Sequence, residues 1–405
     1  MLIVQKYGGS SVADENRIAN VAKRVVSARK KDNKVVVVVS AMGDTTDELI
    51  EQAMRVNPNS SKREMDALLA TGEQRSCALL AMAIQRLGYS AVSLDAWLAG
   101  ISTTSSHGNA RIKSIDTERI NLELDNNHIV VIAGFQGVNR RGDFTTLGRG
   151  GSDTSAVALA AALKAHICEI YTDVPGIFSA DPRIVKNARM LASISYFEML
   201  ELAALGANVL AKRSVGLAKK YGVKLVVKSS MEDGEGTVIK EESRVEGTLI
   251  SGVTLDRDIV RINMSGINDG PGVWFKLFDL MNQGDISIDF LRQTKKVGDV
   301  IDISFTVSKT DLSYAMEIIK DNNKLAHDSA YHQSGLAKIS VVSAGMSTNP
   351  TVPSLMLEAL YDIGISVDSL STSEIRASVL IDEKEAEKAV SVVHEKFEQG
   401  KYIRG

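Results

Sequence analysis

Five consecutive valines, Val35 to Val39, limit the fold more than any other stretch of this chain. With His128 to Ala133, Ile167 to Tyr171 and Lys224 to Val227 they make short β-branched runs without apolar–polar alternation, the pattern of strands buried on both faces of a parallel sheet. Helical patterns separate these runs. Ile18, Val21, Ala22, Val25 and Val26 fall at i, i+3, i+4, i+7 and i+8, an apolar stripe on one helix face; the segments 63–87 and 152–165 behave alike. The first 230 or so residues therefore read as an α/β sandwich of three layers, helices covering both faces of a mainly parallel sheet.

Two glycine-rich loops interrupt this alternation. Leu2-Ile3-Val4 leads into Lys6-Tyr7-Gly8-Gly9-Ser10-Ser11, and Thr145-Thr-Leu-Gly-Arg-Gly-Gly-Ser-Asp-Thr154 runs into an alanine-rich helix. Glycine lets backbone N–H groups approach an anion without a Cβ in the way, and a helix start adds partial positive charge there. Neither loop has the Lys-Ser/Thr ending of a P-loop, and Asp153 stands where a dinucleotide motif wants its last glycine. The pair suggests a nucleoside triphosphate.

The 405 residues are 44% hydrophobic and 24% charged with a net charge of -3, which bounds an ordinary globular chain of roughly two to four domains. That charge offers no basic field for nucleic acid. The N-terminal apolar run ends at Lys6 and no stretch approaches the roughly 18 apolar residues of a membrane span, so a cytoplasmic protein without membrane contact is expected. Cys77 and Cys168 sit in apolar segments without metal-ligand spacing, as reduced core thiols do; no dedicated metal site is read from the sequence.

Near residues 231–246 the pattern dissolves into Glu, Gly, Ser and Lys, a linker or a connecting hairpin. Beyond it Ile286-Ser-Ile-Asp289 recurs as Ile365-Ser-Val-Asp368, each copy flanked by strands and amphipathic helices. Two βαββαβ units of the ferredoxin-like kind fit this repeat. The expected domains are 1–240, 255–330 and 335–400.

Ser40-Ala-Met-Gly43, with Thr45 and Thr46 after it, puts a further glycine turn at the carboxyl end of the valine strand, the edge where ligands of open α/β sheets collect. Lys6, Gly8, Gly9 and Gly43 would surround a phosphate tail there. Arg149, with its planar fork, suits a carboxylate. Asp153 would hold Mg²⁺ or fix the Lys6 ammonium, or simply favour the helix dipole. Glu73 interrupts an apolar helix pattern and is poised for an ammonium ion. Asp173-Val-Pro-Gly and Asp181-Pro-Arg183 are turn signals first and nucleotide contacts second. His107 receives no role.

In this order, Lys6 to Ser11, Ser40 to Thr46, Thr71-Gly-Glu73, His107 to Arg111, Ala133-Gly-Phe-Gln-Gly137, Thr145 to Thr154, Thr172-Asp-Val-Pro-Gly176 and Asp181-Pro-Arg183 resemble the aspartate kinases of the amino-acid-kinase family. The tail, including Ser371-Thr-Ser-Glu-Ile-Arg376, resembles paired ACT domains, so essentially the whole chain is covered. The resemblance implies an amino-acid-kinase fold followed by two ACT domains, and transfer of phosphate from ATP, with Mg²⁺, to the β-carboxylate of L-aspartate at the entry to lysine, threonine and methionine synthesis. By position it implies Lys6 and Asp153 as catalytic, and Ser40, Thr46, Glu73, Phe135, Arg149 and Ser152 around aspartate. Arg149 would take the α-carboxylate and Glu73 the α-amino group. Lys6, Gly8, Gly9, Ser10, Gly43, Thr172, Asp173, Phe178 and Arg183 would lie at the nucleotide.

The resemblance further implies feedback regulation by an amino acid, expected to be lysine, at Asp269, Gly272 and Gln293, in a homo-oligomer joined through the ACT domains. Three positions depart from the family pattern: Asn208 replaces a common lysine, with Lys212 one turn further, Phe178 replaces a tyrosine, and Trp274 a small residue. The competing readings are an amino-acid sensor without transfer and a kinase for another acidic amino acid.

Overall fold

Alternate valines of the strand Lys34–Val39 face opposite cores, which explains the missing alternation. In the computed structural model, which describes residues 1–207, 209–241, 250–284, 286–321, 325–343, 346 and 351–403, Val36 and Val38 join the cluster around Leu159 and Ile170. Val35, Val37 and Val39 join the other cluster, with Ile18, Val25 and Leu80. Both faces are dry, so every position from Val35 to Val39 is apolar.

The eight-stranded sheet runs in the order Ser193–Ser195, Thr237–Lys240, Leu225–Ser229, Ile167–Thr172, Leu2–Tyr7, Lys34–Val39, Ile129–Ala133, Ala91–Leu94. Six strands are parallel; Thr237–Lys240 runs antiparallel to Leu225–Ser229 and parallel to Ser193–Ser195. The described part of the segment 231–246 thus takes the hairpin alternative, closing Leu225–Ser229 onto Thr237–Lys240, while residues 242–246 lie outside the described residues. Leu2–Tyr7 is central, and the chain leaves it on one side toward Lys34–Val39 and returns on the other as Ile167–Thr172. Ligands of such sheets bind at the carboxyl ends beside this reversal of direction, and Lys6 is the penultimate residue of the central strand.

A separate four-stranded sheet, Ile112–Ile115, Ile101–Thr103, Gln136–Val138 and Phe144–Thr146, stands beside that edge. Its strands are three or four residues long, too short to carry a readable period, and sequence reasoning missed them.

The C-terminal half holds two four-stranded antiparallel sheets. Val260–Asn268, Asp289–Val297, Val300–Val307 and Ser329–Gln333 alternate with helices Val273–Gln283 and Leu312–Asp321 in βαββαβ order, with the second repeated strand at one edge and the fourth at the other. The other sheet joins Leu336–Ser343, Ser369–Thr372 and Arg376–Asp382 to a strand from before the first unit, Ile250–Asp256. The expected unit 335–400 is therefore completed from upstream, and the unit beginning near 260 is inserted into it. A strand-pairing partner across so long a stretch leaves no local signal.

Segment 177–191 bridges the two halves. Ala180 and Val185 pack in the C-terminal core, and Val253 N–H donates to Ser179 O at 2.7 Å.

Candidate active site

Lys6 and Asp153 meet at the carboxyl edge of the central strand, Nζ 2.7 Å from Oδ1, with side chains 12% and 11% exposed. Asp153 lies in the first turn of helix Gly151–Ala162, so the charge pair sits at a helix N-terminus. The contact is an ion pair without hydrogen-bond alignment: Asp153 Oδ1 is buried and accepts no hydrogen bond among the described residues. Lys6 is no solvated surface lysine, and Asp153 meets its ammonium directly.

Around this pair lies a cavity of about 260 Å³ whose lining includes Lys6, Gly9, Ser40, Gly43, Thr46, Glu73, Phe135, Arg149, Ser152 and Asp153. Three segments supply it. The loop after Leu2–Tyr7 is tied to the loop after the valine strand by Gly43 N–H donating to Gly9 O at 3.1 Å. A Cβ on Gly9 would stand 2.9 Å from Ala41 O, so these two cradles close on each other only through glycine. The third loop turns at Gly150, whose φ is +69° and whose added Cβ would lie 2.2 Å from Ala211 Cβ.

Glu73 comes from helix Lys62–Arg86 and is 3% exposed. Its Oε1 accepts the Ala41 N–H at 3.0 Å, while Oε2 is buried and has no hydrogen-bond partner among the described residues. Burial lifts its carboxyl to about 7, against the opposing pull of the Ala41 hydrogen bond. An unpartnered, desolvated carboxylate in a cavity wall is a receptor for a cation. Ser76, three residues on, donates from Oγ to Ser40 O at 2.6 Å and locks the helix to the strand end.

Phe135 is a non-glycine residue in the left-handed region, φ +67°. It is held there by its N–H donating to Ser155 Oγ at 3.1 Å and by its carbonyl accepting Leu147 N–H at 2.8 Å. Such strain costs about 1–3 kcal/mol and persists where surroundings over-determine it. Arg149 lines the cavity with an exposed guanidinium, and among the described residues it makes no ion pair with a carboxylate within 4.0 Å.

The nucleotide set divides. Gly9 and Gly43 line the cavity with Lys6, and Gly8 borders it, its added Cβ being 3.4 Å from Lys6 Nζ. Ser10 is exposed, its carbonyl bonded by Arg17. Thr172 ends the strand beside Lys6 and donates to Asp173 at 3.0 Å. Phe178 and Arg183 are not among the residues that line the cavity: Phe178 bridges to Met190, and Arg183, with its side chain 88% exposed, forks onto Asp181. Asn208 lies outside the described residues, and Lys212 is exposed at the start of helix Lys212–Tyr221.

In the C-terminal half Asp269 pairs with Lys296 at 2.6 Å, Gly272, φ +99°, caps helix Val273–Gln283, and Gln293 sits in the strand Asp289–Val297. A larger cleft of about 520 Å³ opens between the two antiparallel sheets, and the repeat residues Asp289 and Asp368 line it together. Asp368 is held down at about 2, chiefly by the Arg261 hydrogen bond. Among the described residues no group of three or more His, Cys, Asp or Glu could hold a metal ion, and no helix is long and apolar enough to cross a membrane.

Sequence reasoning missed Asp66, Arg213, Ser179 and His394. Asp66 is 1% exposed and bonds His107 and Thr146; its only signal was a second acidic residue one heptad before Glu73 on the same helix face.

A central strand with a lysine next to its carboxyl end, two interlocked glycine cradles and a carboxylate at a helix start define a phosphoryl-transfer site on an α/β sheet. Residues 1–229 match the Amino acid kinase family, and residues 339–397 match an ACT domain. The aspartokinase of Bacillus sp. (strain MGA3) is 49% identical over 399 residues, covering 98% of this chain and 97% of the relative. That of Geobacillus stearothermophilus is 49% identical over 397 residues with the same coverage. The solved aspartate kinase from Synechocystis is 40% identical with a TM-score of 0.56, covering 98% of this chain and 69% of that one. E. coli aspartokinase III in complex with aspartate and ADP superposes with a TM-score of 0.84 over 98% of this chain and 99% of that one, at 23% identity, a likeness of fold. The chain belongs to the aspartokinases of the amino acid kinase family.

Proposed function

We propose that this protein transfers the γ-phosphoryl group of ATP to the β-carboxylate of L-aspartate, giving aspartyl phosphate at the entry to lysine, threonine and methionine synthesis. The carrying observation is the convergence of the Lys6 ammonium, two glycine cradles, the Arg149 guanidinium and a desolvated glutamate on one cavity. A free aspartate side chain, with its pKa near 3.9, is already the ionised nucleophile, so no general base is needed. What the reaction needs is cancellation of repulsion between that carboxylate and the γ-phosphate. Lys6 supplies a fixed positive charge, Asp153 holds the ammonium in place, and the N–H groups of the cradles take the phosphate oxygens. Arg149 grips the α-carboxylate and Glu73 the α-ammonium, with Ser40, Thr46, Phe135 and Ser152 shaping the walls.

Mg²⁺ would neutralise phosphate charge when it enters with ATP. Such ions are held by phosphates and one or two carboxylates rather than by a protein cage, which suits a cavity offering Asp153 and no carboxylate cluster. Thr172, Asp173, Phe178 and Arg183 serve the nucleoside end. Assaying L-aspartate against L-glutamate as acceptor tests the assignment. A preference for aspartate of at least roughly tenfold in kcat/KM is expected for one methylene in a closed pocket; equal use of glutamate would remove it.

Residues 1–240 would be the catalytic unit, and 255–330 with 335–400 the regulatory ACT pair that takes an amino acid. Lysine is the proposed effector, at Asp269, Gly272 and Gln293 between chains of a cytoplasmic homo-oligomer. A solved E. coli aspartokinase III carries lysine and aspartate, and Phe275 and Phe278, 73% and 52% exposed on one ACT helix, support a face covered by another copy. Activity measured with lysine, with threonine and with both tests this; unchanged rates in every mixture would remove the regulatory reading.

A further inference from the structure

Asp66 is fully buried in helix Lys62–Arg86, two turns before Glu73 and on the same face. Its carboxylate is ringed by donors. Thr146 Oγ1 donates to Oδ1 at 2.6 Å, Gly108 N–H points between the two oxygens at 3.1 and 3.0 Å, and His107 Nδ1 stands 2.8 Å from Oδ2. With every neighbour facing an acceptor-only group, the imidazole carries its proton on Nδ1.

These contacts join two loops. Ala110 N–H donates to Thr146 O at 2.8 Å, and the added Cβ of Gly148 would lie 3.2 Å from Gly108 O, so the loops press backbone to backbone. From the opposite side Arg213 closes the assembly, donating to Leu147 O at 3.0 Å and to Ala110 O at 2.8 Å. Arg149 follows two residues after Leu147, and among the described residues its guanidinium has no ion-pair partner of its own to fix it.

We infer that Asp66, with His107 as its donor, is a positioning residue that sets the reach of Arg149 onto the acceptor's α-carboxylate. This rests on the reading of Arg149 given above. A carboxylate is required because it accepts from all three donors; an asparagine would turn an NH₂ toward one of them.

Steady-state kinetics test the inference. Asp66→Asn should raise the aspartate KM by roughly tenfold, the scale of one charge-assisted hydrogen bond, while the ATP KM moves by less than about threefold. His107→Ala should also raise the aspartate KM, and His107→Asn, which returns an N–H donor near the position of Nδ1, should restore it. The histidine pair keeps the test open if Asp66→Asn does not fold. In an Arg149→Ala background the Asp66→Asn effect should vanish, because the residue it positions is gone. A full Asp66→Asn effect in that background, equal rises in the aspartate and ATP KM, or no difference between His107→Ala and His107→Asn would each overturn the positioning role. An Arg149→Ala variant with unaltered aspartate KM has a different signature: it overturns the reading of Arg149 itself, and the positioning role with it.

Discussion

Lys6 and Asp153 lie far apart in the sequence, yet their charged atoms are 2.7 Å apart at 12% and 11% side-chain exposure. At that burial the pair is more than a surface ion bridge, and removing one partner leaves an uncompensated charge that costs about 3–5 kcal/mol.

Lys6→Met should therefore lower kcat by at least roughly 10²-fold and leave the aspartate KM little changed, because Lys6 acts on the phosphoryl group. It should also lower thermal stability. Adding Asp153→Asn should recover much of that stability without recovering turnover, as followed by thermal melts alongside the assay; a double variant that regains activity would remove Lys6 from the mechanism.

Glu73 gives a pH signature. Burial lifts its carboxyl from 4.5 to about 7, so in the empty protein its contribution to stability is full below about 4.5 and is lost as pH rises through about 7, a loss of roughly 3 kcal/mol. Glu73→Gln should melt higher than wild type at pH 8, with the gap closing toward pH 5. The same variant should raise the aspartate KM at pH 8, and the wild-type KM should climb as pH falls through about 7. Parallel melting curves would show that Glu73 is solvated.

His394 joins the C-terminal half to the segment that follows the strand Ile167–Thr172. It is 1% exposed, and its Nε2 lies 2.9 Å from Ser179 Oγ. Burial holds its pKa below 6.5, with Glu398 pulling it up and Arg189 pushing it down. A histidine held low stabilises the fold above about 6.5, and that stability is lost as pH falls through its lowered pKa. Relative to His394→Gln, the wild type should lose melting temperature between pH 6.5 and 5; identical slopes would discount His394.

Gly150 tests the third cradle. With φ +69° and an added Cβ 2.2 Å from Ala211 Cβ, Gly150→Ala combines backbone strain with overpacking, about 1–3 kcal/mol from each source. Denaturant midpoints should fall accordingly and the aspartate KM should rise, since Arg149 precedes it; a variant as stable as wild type would mean the loop relaxes freely.

Much of the catalytic half was legible because its signals are local. The valine strand, the stripe on helix Glu15–Lys30 and the glycine loops each declare themselves within about ten residues, and Lys6, Glu73, Arg149 and Asp153 stood out as polar residues in such contexts. Asp66 and Arg213 did not, because a buried carboxylate and a carbonyl-capping arginine become visible only once their partners arrive from other segments. The strand Ile250–Asp256 was hidden for the same reason: its pairing with Leu336–Ser343 spans an entire inserted unit.

By itself the sequence determined which segments are strands and helices, where the backbone must bend at glycine, and which side chains carry charge into those bends, since all of these follow from residue type and short spacing. Tertiary structure alone decided that Lys6 would face Asp153, that Arg183 would turn onto Asp181 instead of the cavity, and that Glu73 would titrate near neutrality. Those outcomes depend on which distant segments exclude water from one another, and solvent exclusion is a property of the assembled fold rather than of any stretch of chain.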